Sequence, residues 1–112
     1  MYRGAARVDA NQAAIVDCLR RAGRSVAITS ALGRGVPDLV IGWSGQCCSH
    51  DCSGPPHLKN RLALLVEVKD GEKPPSAQRL TQDEATFHAT WRGPIVIVKT
   101  MAEALRATGV SV

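Results

Sequence analysis

Glu67 and Lys69 stand two residues apart at the end of Arg61-Leu-Ala-Leu-Leu-Val-Glu-Val-Lys69, an otherwise apolar run. On a strand, that spacing sends both side chains out of one face of the sheet while Val66 and Val68 point to the other. Taken alone, the pair is an ordinary ion pair at a strand end. Pro37-Asp38 changes the reading, because it opens a second apolar run, Leu39-Val-Ile-Gly42. If the two runs are neighbouring strands, the Asp38 and Glu67 carboxylates come close enough to repel unless a hard divalent cation lies between them. Mg²⁺ favours one or two carboxylates with waters and phosphate oxygens, and the Val68 backbone carbonyl is a further available ligand. Such a centre suits phosphodiester hydrolysis, which needs an activated water and neutralised phosphoryl and leaving oxygens. Lys69 adds an ammonium to orient the water or offset phosphate charge. The candidate catalytic residues are therefore Asp38, Glu67 and Lys69, with Asp38, Glu67 and the Val68 carbonyl as the metal ligands.

These residues need elements to hold them. Asp9-x-x-Gln12 has the form of a capping box, and Val8, Gln12, Ile15, Leu19 and Ala22 recur at helical spacing, so a helix is expected from about Ala10 to Ala22, stopped by Gly23. Ser25 to Ser30 is β-prone, and Gly33-Arg-Gly-Val-Pro37 is a turn-rich loop that delivers Asp38 to the strand Leu39 to Gly42. Residues Trp43 to Asn60 lack periodicity and read as an irregular excursion. Arg61 to Lys69 is expected to be a central strand buried on both faces. After the polar loop Asp70 to Ser76, Thr81 and Glu84 form a second capping-box pattern, with Phe87 and Trp91 one turn apart and Gly93-Pro94 ending the helix. Ile95 to Val98 is a buried strand, and Thr100-x-x-Glu103 starts a last helix ending near Gly109. The fold class expected is α/β: one domain over residues 1–112, with a small mixed sheet flanked by helices in the order α-β-β-β-α-β-α.

The blocks Gly33 to Gly42, Leu65-Val-Glu-Val-Lys-Asp-Gly71, Leu80-Thr-Gln-Asp-Glu84 and Trp91 to Val98 together resemble, in order, those of the PD-(D/E)XK nuclease superfamily and its VRR-NUC (virus-type replication-repair nuclease) group. The resemblance covers nearly the whole chain outside the excursion. It implies a restriction-endonuclease-like fold, with Mg²⁺ or Mn²⁺ bound at Asp38 and Glu67 and catalysis assisted by Lys69. Stand-alone members resemble phage Holliday-junction resolvases that act on DNA as homodimers. Two positions depart from the pattern. A Glu that faces the metal from the first helix is matched here by Gln12, which lies on the inward stripe and is equally well read as the capping-box residue. A Gln early in the second long helix is matched by Glu84, which the Thr81 capping box explains without chemistry. Gln12 and Glu84 are thus candidates for supporting the metal centre.

Arg34, Lys73, Arg79 and Arg92 fall in or beside these blocks and are candidate phosphate contacts, against a reading as scattered solubilising charge. His88, four residues after Glu84, is read as a partly exposed helical residue. Cys47, Cys48, Cys52 and His57, with His50 nearby, have zinc-binding chemistry but lack paired C-x-x-C spacing, so structural Zn²⁺ is the less favoured reading and free thiols the expectation.

The composition is permissive. The 112 residues are 45% hydrophobic and carry a net charge of +4, enough for a modest core and compatible with a polyanionic partner. No segment approaches the roughly 18 apolar residues of a membrane span, and the opening residues lack the apolar core of a signal peptide. A cytoplasmic protein without membrane contact is expected, in the bacterial host if phage-encoded. The competing class is a non-catalytic DNA-binding module with the same fold, against which the intact Asp38, Glu67 and Lys69 argue.

Overall fold

The computed structural model describes residues 9–44 and 61–111. The proposed zinc residues Cys47, Cys48, Cys52 and His57, with most of the excursion, lie outside the described residues, as does Val8. The elements in chain order are α1 (Gln12–Arg21), β1 (Ser25–Ile28), a 3-10 turn (Ser30–Leu32), β2 (Leu39–Ser44), β3 (Arg61–Val68), α2 (Pro75–Gln78), α3 (Gln82–Thr90), β4 (Ile95–Val98) and α4 (Met101–Ala107). This is the α/β class expected, with an added one-turn helix, α2, that begins inside the expected polar loop. Pro75 stands in its first turn, where a missing N–H costs nothing and a fixed φ favours the helix.

The sheet is mixed and ordered β1-β2-β3-β4, antiparallel between β1 and β2 and between β2 and β3, and parallel between β3 and β4. The register pairs Leu39 with Val66 and Ile41 with Leu64, and Val68 with Val98, so these six residues share one face. That face packs on Ile15, Val16 and Leu19 of α1 and Ala104 of α4 to form the core. Gly23 ends α1 with φ +87, a left-handed conformation open to glycine, and Arg24 N–H returns to the Leu19 carbonyl.

Several sequence expectations need correction. β3 is not buried on both faces: residues 61–63 are exposed and Leu65 is half-buried, because only one face meets α1 and α4. β4 is an edge strand whose Ile97 is 41% exposed, not a buried one. Trp43 and Ser44 belong to β2, not to the excursion. The Asp9-Gln12 capping box does not form, and α1 begins at Gln12 with Asn11 as N-cap and no side-chain cap bond. The reason is tertiary: the Asp9 carboxylate instead accepts from Lys73 Nζ at 2.7 Å, and Asn11 reaches across to the carbonyls just past the ends of β3 and β4. The Thr81-Glu84 capping box does form on α3, and Phe87 and Trp91 stack with ring centroids 5.3 Å apart. Among the described residues no helix is long and apolar enough to cross a membrane.

Leu19 is fully enclosed between α1 and the sheet. Leu19→Ala is expected to cost about 2–5 kcal/mol through lost burial and the cavity left behind, measured by urea unfolding at constant m-value.

Candidate active site

The β2–β3 ladder stops at Leu39 opposite Val66. Two residues earlier, where the register would set a residue opposite Val68, the chain has Pro37, which has no N–H to extend a ladder. The Asp38 side chain takes over, and its Oδ2 accepts the Val68 N–H at 2.8 Å. This bond leaves the carboxylate beside that of Glu67, close enough for each to shift the other's titration. Lys69 follows, with its N–H on the Val98 carbonyl at 2.9 Å. All three residues expected to be catalytic are therefore gathered at one end of the sheet. Asp38 is 6% exposed, Glu67 2% and Lys69 7%, so the charges sit where water screens them poorly.

Lys69 Nζ lies 2.7 Å from Glu84 Oε1 and 4.0 Å from Glu67 Oε2. The same Glu84 oxygen accepts the Thr81 N–H at 2.8 Å. The capping reading of Glu84 was thus correct but incomplete, since one oxygen closes the first turn of α3 and holds the lysine. Gly35 fixes the distance between these parts. It has φ +80, and a Cβ there would overlap the Asp83 carbonyl and the Glu84 amide. The Gly33 to Pro37 loop consequently lies directly on the start of α3.

Burial pushes the Glu67 carboxyl up to about 9, reinforced by the hydrogen bond and negative charge of Asp38. Burial also raises Asp38, although its bonds to Glu67 and the Val68 N–H act the other way. Burial alone would lower Lys69, but the hydrogen bond and charge of Glu84, followed by the charges of Glu67 and Asp9, hold it above the ordinary lysine value. Burial would raise Glu84, yet its bonds to Lys69 and to the Thr81 N–H keep it below the usual carboxylate range. The Asp38-Glu67 pair by itself therefore keeps a proton at neutral pH.

A cation is the other way to relieve such a pair, and the donor set fits one. Glu67 Oε1 is buried and has no hydrogen-bond partner among the described residues. Among the described residues no three His, Cys, Asp or Glu side chains converge as a ligand set. Two carboxylates and the Val68 carbonyl are what the chain offers, which is the sparse oxygen set that Mg²⁺ completes with water and phosphate.

A cleft of about 730 Å³ opens over the site, and Asp38, Lys69 and Glu84 line it together with Arg34, Lys73 and Arg79. Arg34 is held at φ +56 at its rim, and Lys73 is paired with Asp9. Arg92 does not belong to this group: it lies exposed beyond the end of α3 and does not line the cleft. Gln12 does not line it either, although it is buried and its Oε1 has no partner among the described residues. His88 is half-buried, its Nε2 has no partner among the described residues, and burial pulls its pKa down.

Sequence reasoning missed Asn11. Its Nδ2 donates to the Lys69 carbonyl at 3.2 Å and to the Lys99 carbonyl at 3.0 Å, tying α1 to the ends of both parallel strands. The sequence places Asn11 inside a helix expected to begin at Ala10, where nothing in its residue type marks this role.

No family model, curated protein or solved structure matches the chain.

Two outcomes follow from the geometry. An unfolded Glu67 loses its proton near 4.5 while the folded one keeps it to about 9, so between these pH values the folded state binds more protons. Stability in chelator is then expected to fall as pH rises through that window, and Glu67→Gln, which stays neutral, should flatten the slope of melting temperature against pH. Gly35→Ala should destabilise by more than about 1 kcal/mol, because both its φ and its contact with α3 exclude a Cβ; thermal melts in EDTA report this.

Proposed function

We propose that this chain is a divalent-metal-dependent endonuclease acting on DNA, of PD-(D/E)XK type and similar to the VRR-NUC group. The observation that carries the reading is the buried Asp38-Glu67 pair with its unpartnered Glu67 oxygen, set beside the Lys69 ammonium. Mg²⁺ or Mn²⁺ at these carboxylates would supply Lewis-acid polarisation of a phosphoryl oxygen and a bound water of lowered pKa. The chain's own residues do the rest. Asp38 and Glu67 bind the cation, with the Val68 carbonyl as a further ligand. Lys69 faces the cleft with a secured proton and offsets charge that builds on the scissile phosphate. Arg34, Arg79 and Lys73 surround the reacting centre with positive charge, where flanking phosphates of a strand would lie. Lys73 must exchange Asp9 for phosphate to take part.

The resemblance further suggests a structure-selective enzyme of the Holliday-junction-resolvase kind, or a nicking one, working as a homodimer in the cytoplasm, of a bacterial host if phage-encoded. One active site per chain and two cuts per junction favour a two-fold dimer.

Incubation with labelled junction, flap, single-stranded and linear duplex DNA, in Mg²⁺, Mn²⁺ or EDTA, tests the reading. Cleavage should require the metal. Asp38→Asn, Glu67→Gln and Lys69→Ala should each lower the rate roughly 100-fold or more at unchanged fold, while DNA binding largely persists. A Glu67→Gln variant that cuts at the wild-type rate under matched metal would sink the assignment. Light scattering with and without junction DNA reads the oligomeric state.

A further inference from the structure

Thr29 follows directly on β1, where the β1–β2 ladder ends at Ile28 opposite Leu39. Its amide donates to the Asp38 carbonyl at 2.7 Å, and its hydroxyl donates to the Pro37 carbonyl at 2.6 Å. One residue thereby holds the peptide groups on both sides of the Asp38 Cα. Any residue except proline could make the first bond at this position, but the second requires a hydroxyl. Pro37 is fully buried and has no N–H, so its carbonyl is the one backbone group with which it can be anchored. Strand propensity favours threonine here in general. It does not account for a hydroxyl bonded to a carbonyl eight residues further along the chain.

With both flanking peptides fixed, the Asp38 side chain has little freedom beyond its own rotamer. Its Oδ2 meets the Val68 N–H at 2.8 Å, and its carboxyl group meets that of Glu67. Thr29 does not line the cleft, and its two bonds go to backbone carbonyls, not to the carboxylate oxygens.

We propose that Thr29 is a positioning residue for the metal centre: its hydroxyl sets the Pro37-Asp38 peptide so that the Asp38 carboxylate faces Glu67, the two groups that would hold the cation. This rests on the metal-nuclease reading above. Groups that orient a metal ligand without touching the metal ordinarily contribute roughly 10- to 100-fold in metal affinity, which sets the scale of the effect.

The test is Mn²⁺ binding to the full chain, followed by the electron paramagnetic resonance of free Mn²⁺, alongside thermal melts and the metal dependence of DNA cleavage. Thr29→Ser keeps the hydroxyl and should bind Mn²⁺ at the wild-type midpoint. Thr29→Ala should raise that midpoint roughly 10- to 100-fold, with most of the cleavage rate recovered at saturating Mn²⁺. A merely structural role would lower the melting temperature and leave the midpoint of the folded protein unmoved. If Thr29→Ala does not fold, Thr29→Val, which keeps the branched shape without the hydroxyl, makes the same comparison. A hydroxyl-free variant that folds and binds Mn²⁺ at the wild-type midpoint overturns the inference alone. Wild-type protein that neither binds Mn²⁺ nor cuts DNA overturns the nuclease reading, and this inference with it.

Discussion

Two carboxyl groups buried against each other at the open end of a β-ladder are the constraint around which this small domain is arranged. Burial of Asp38 and Glu67 is unfavourable while both carry charge, and the surrounding structure makes it tolerable. The Val68 N–H, left over where β2 stops, stabilises Asp38. Lys69 brings a positive charge within 4.0 Å of Glu67, and its own burial is offset by Glu84. Each partner is in turn fixed by something with no charge. Asn11 holds the Lys69 carbonyl, Thr29 the Pro37-Asp38 peptide, and the bare Cα of Gly35 lets the loop lie on α3. An apolar core of six strand residues, three from α1 and one from α4 supplies the rigid frame on the other face.

The central residues were legible in the sequence because they break a pattern. Glu67 and Lys69 interrupt an apolar run at strand spacing, and Asp38 follows a proline at the start of the preceding such run. Physical chemistry gives few reasons for charge in those places. The Thr81 capping box was legible for a similar reason, since its two partners are three residues apart and interact locally. The Asp9-Gln12 box had the same local form and failed, because distant partners, Lys73 for Asp9 and the two strand-end carbonyls for Asn11, competed successfully for the polar side chains at the start of α1.

What was hidden is mostly contact between a side chain and a distant backbone. Asn11 and Thr29 act on carbonyls, which every residue has, so no combination of residue types announces them. The second role of Glu84 was hidden because Lys69 lies fifteen residues away and meets it only through the fold. The exposure of Ile97 and of residues 61–63 was hidden for another reason: an apolar run looks the same whether helices cover one face of a sheet or both.

Glu84 Oε1 serves two donors at once, the Thr81 N–H that begins α3 and the Lys69 ammonium. No residue of α3 is buried, so this helix has little apolar packing of its own to keep its first turn closed. The two bonds are therefore energetically linked, and such a linkage works with the same strength in both directions. Whatever draws Lys69 away from Glu84 alters the free energy of the first turn of α3, and whatever loosens that turn changes the hold on the lysine by the same amount. A helix end and a buried cation thus share one oxygen, and neither responds to its surroundings independently of the other.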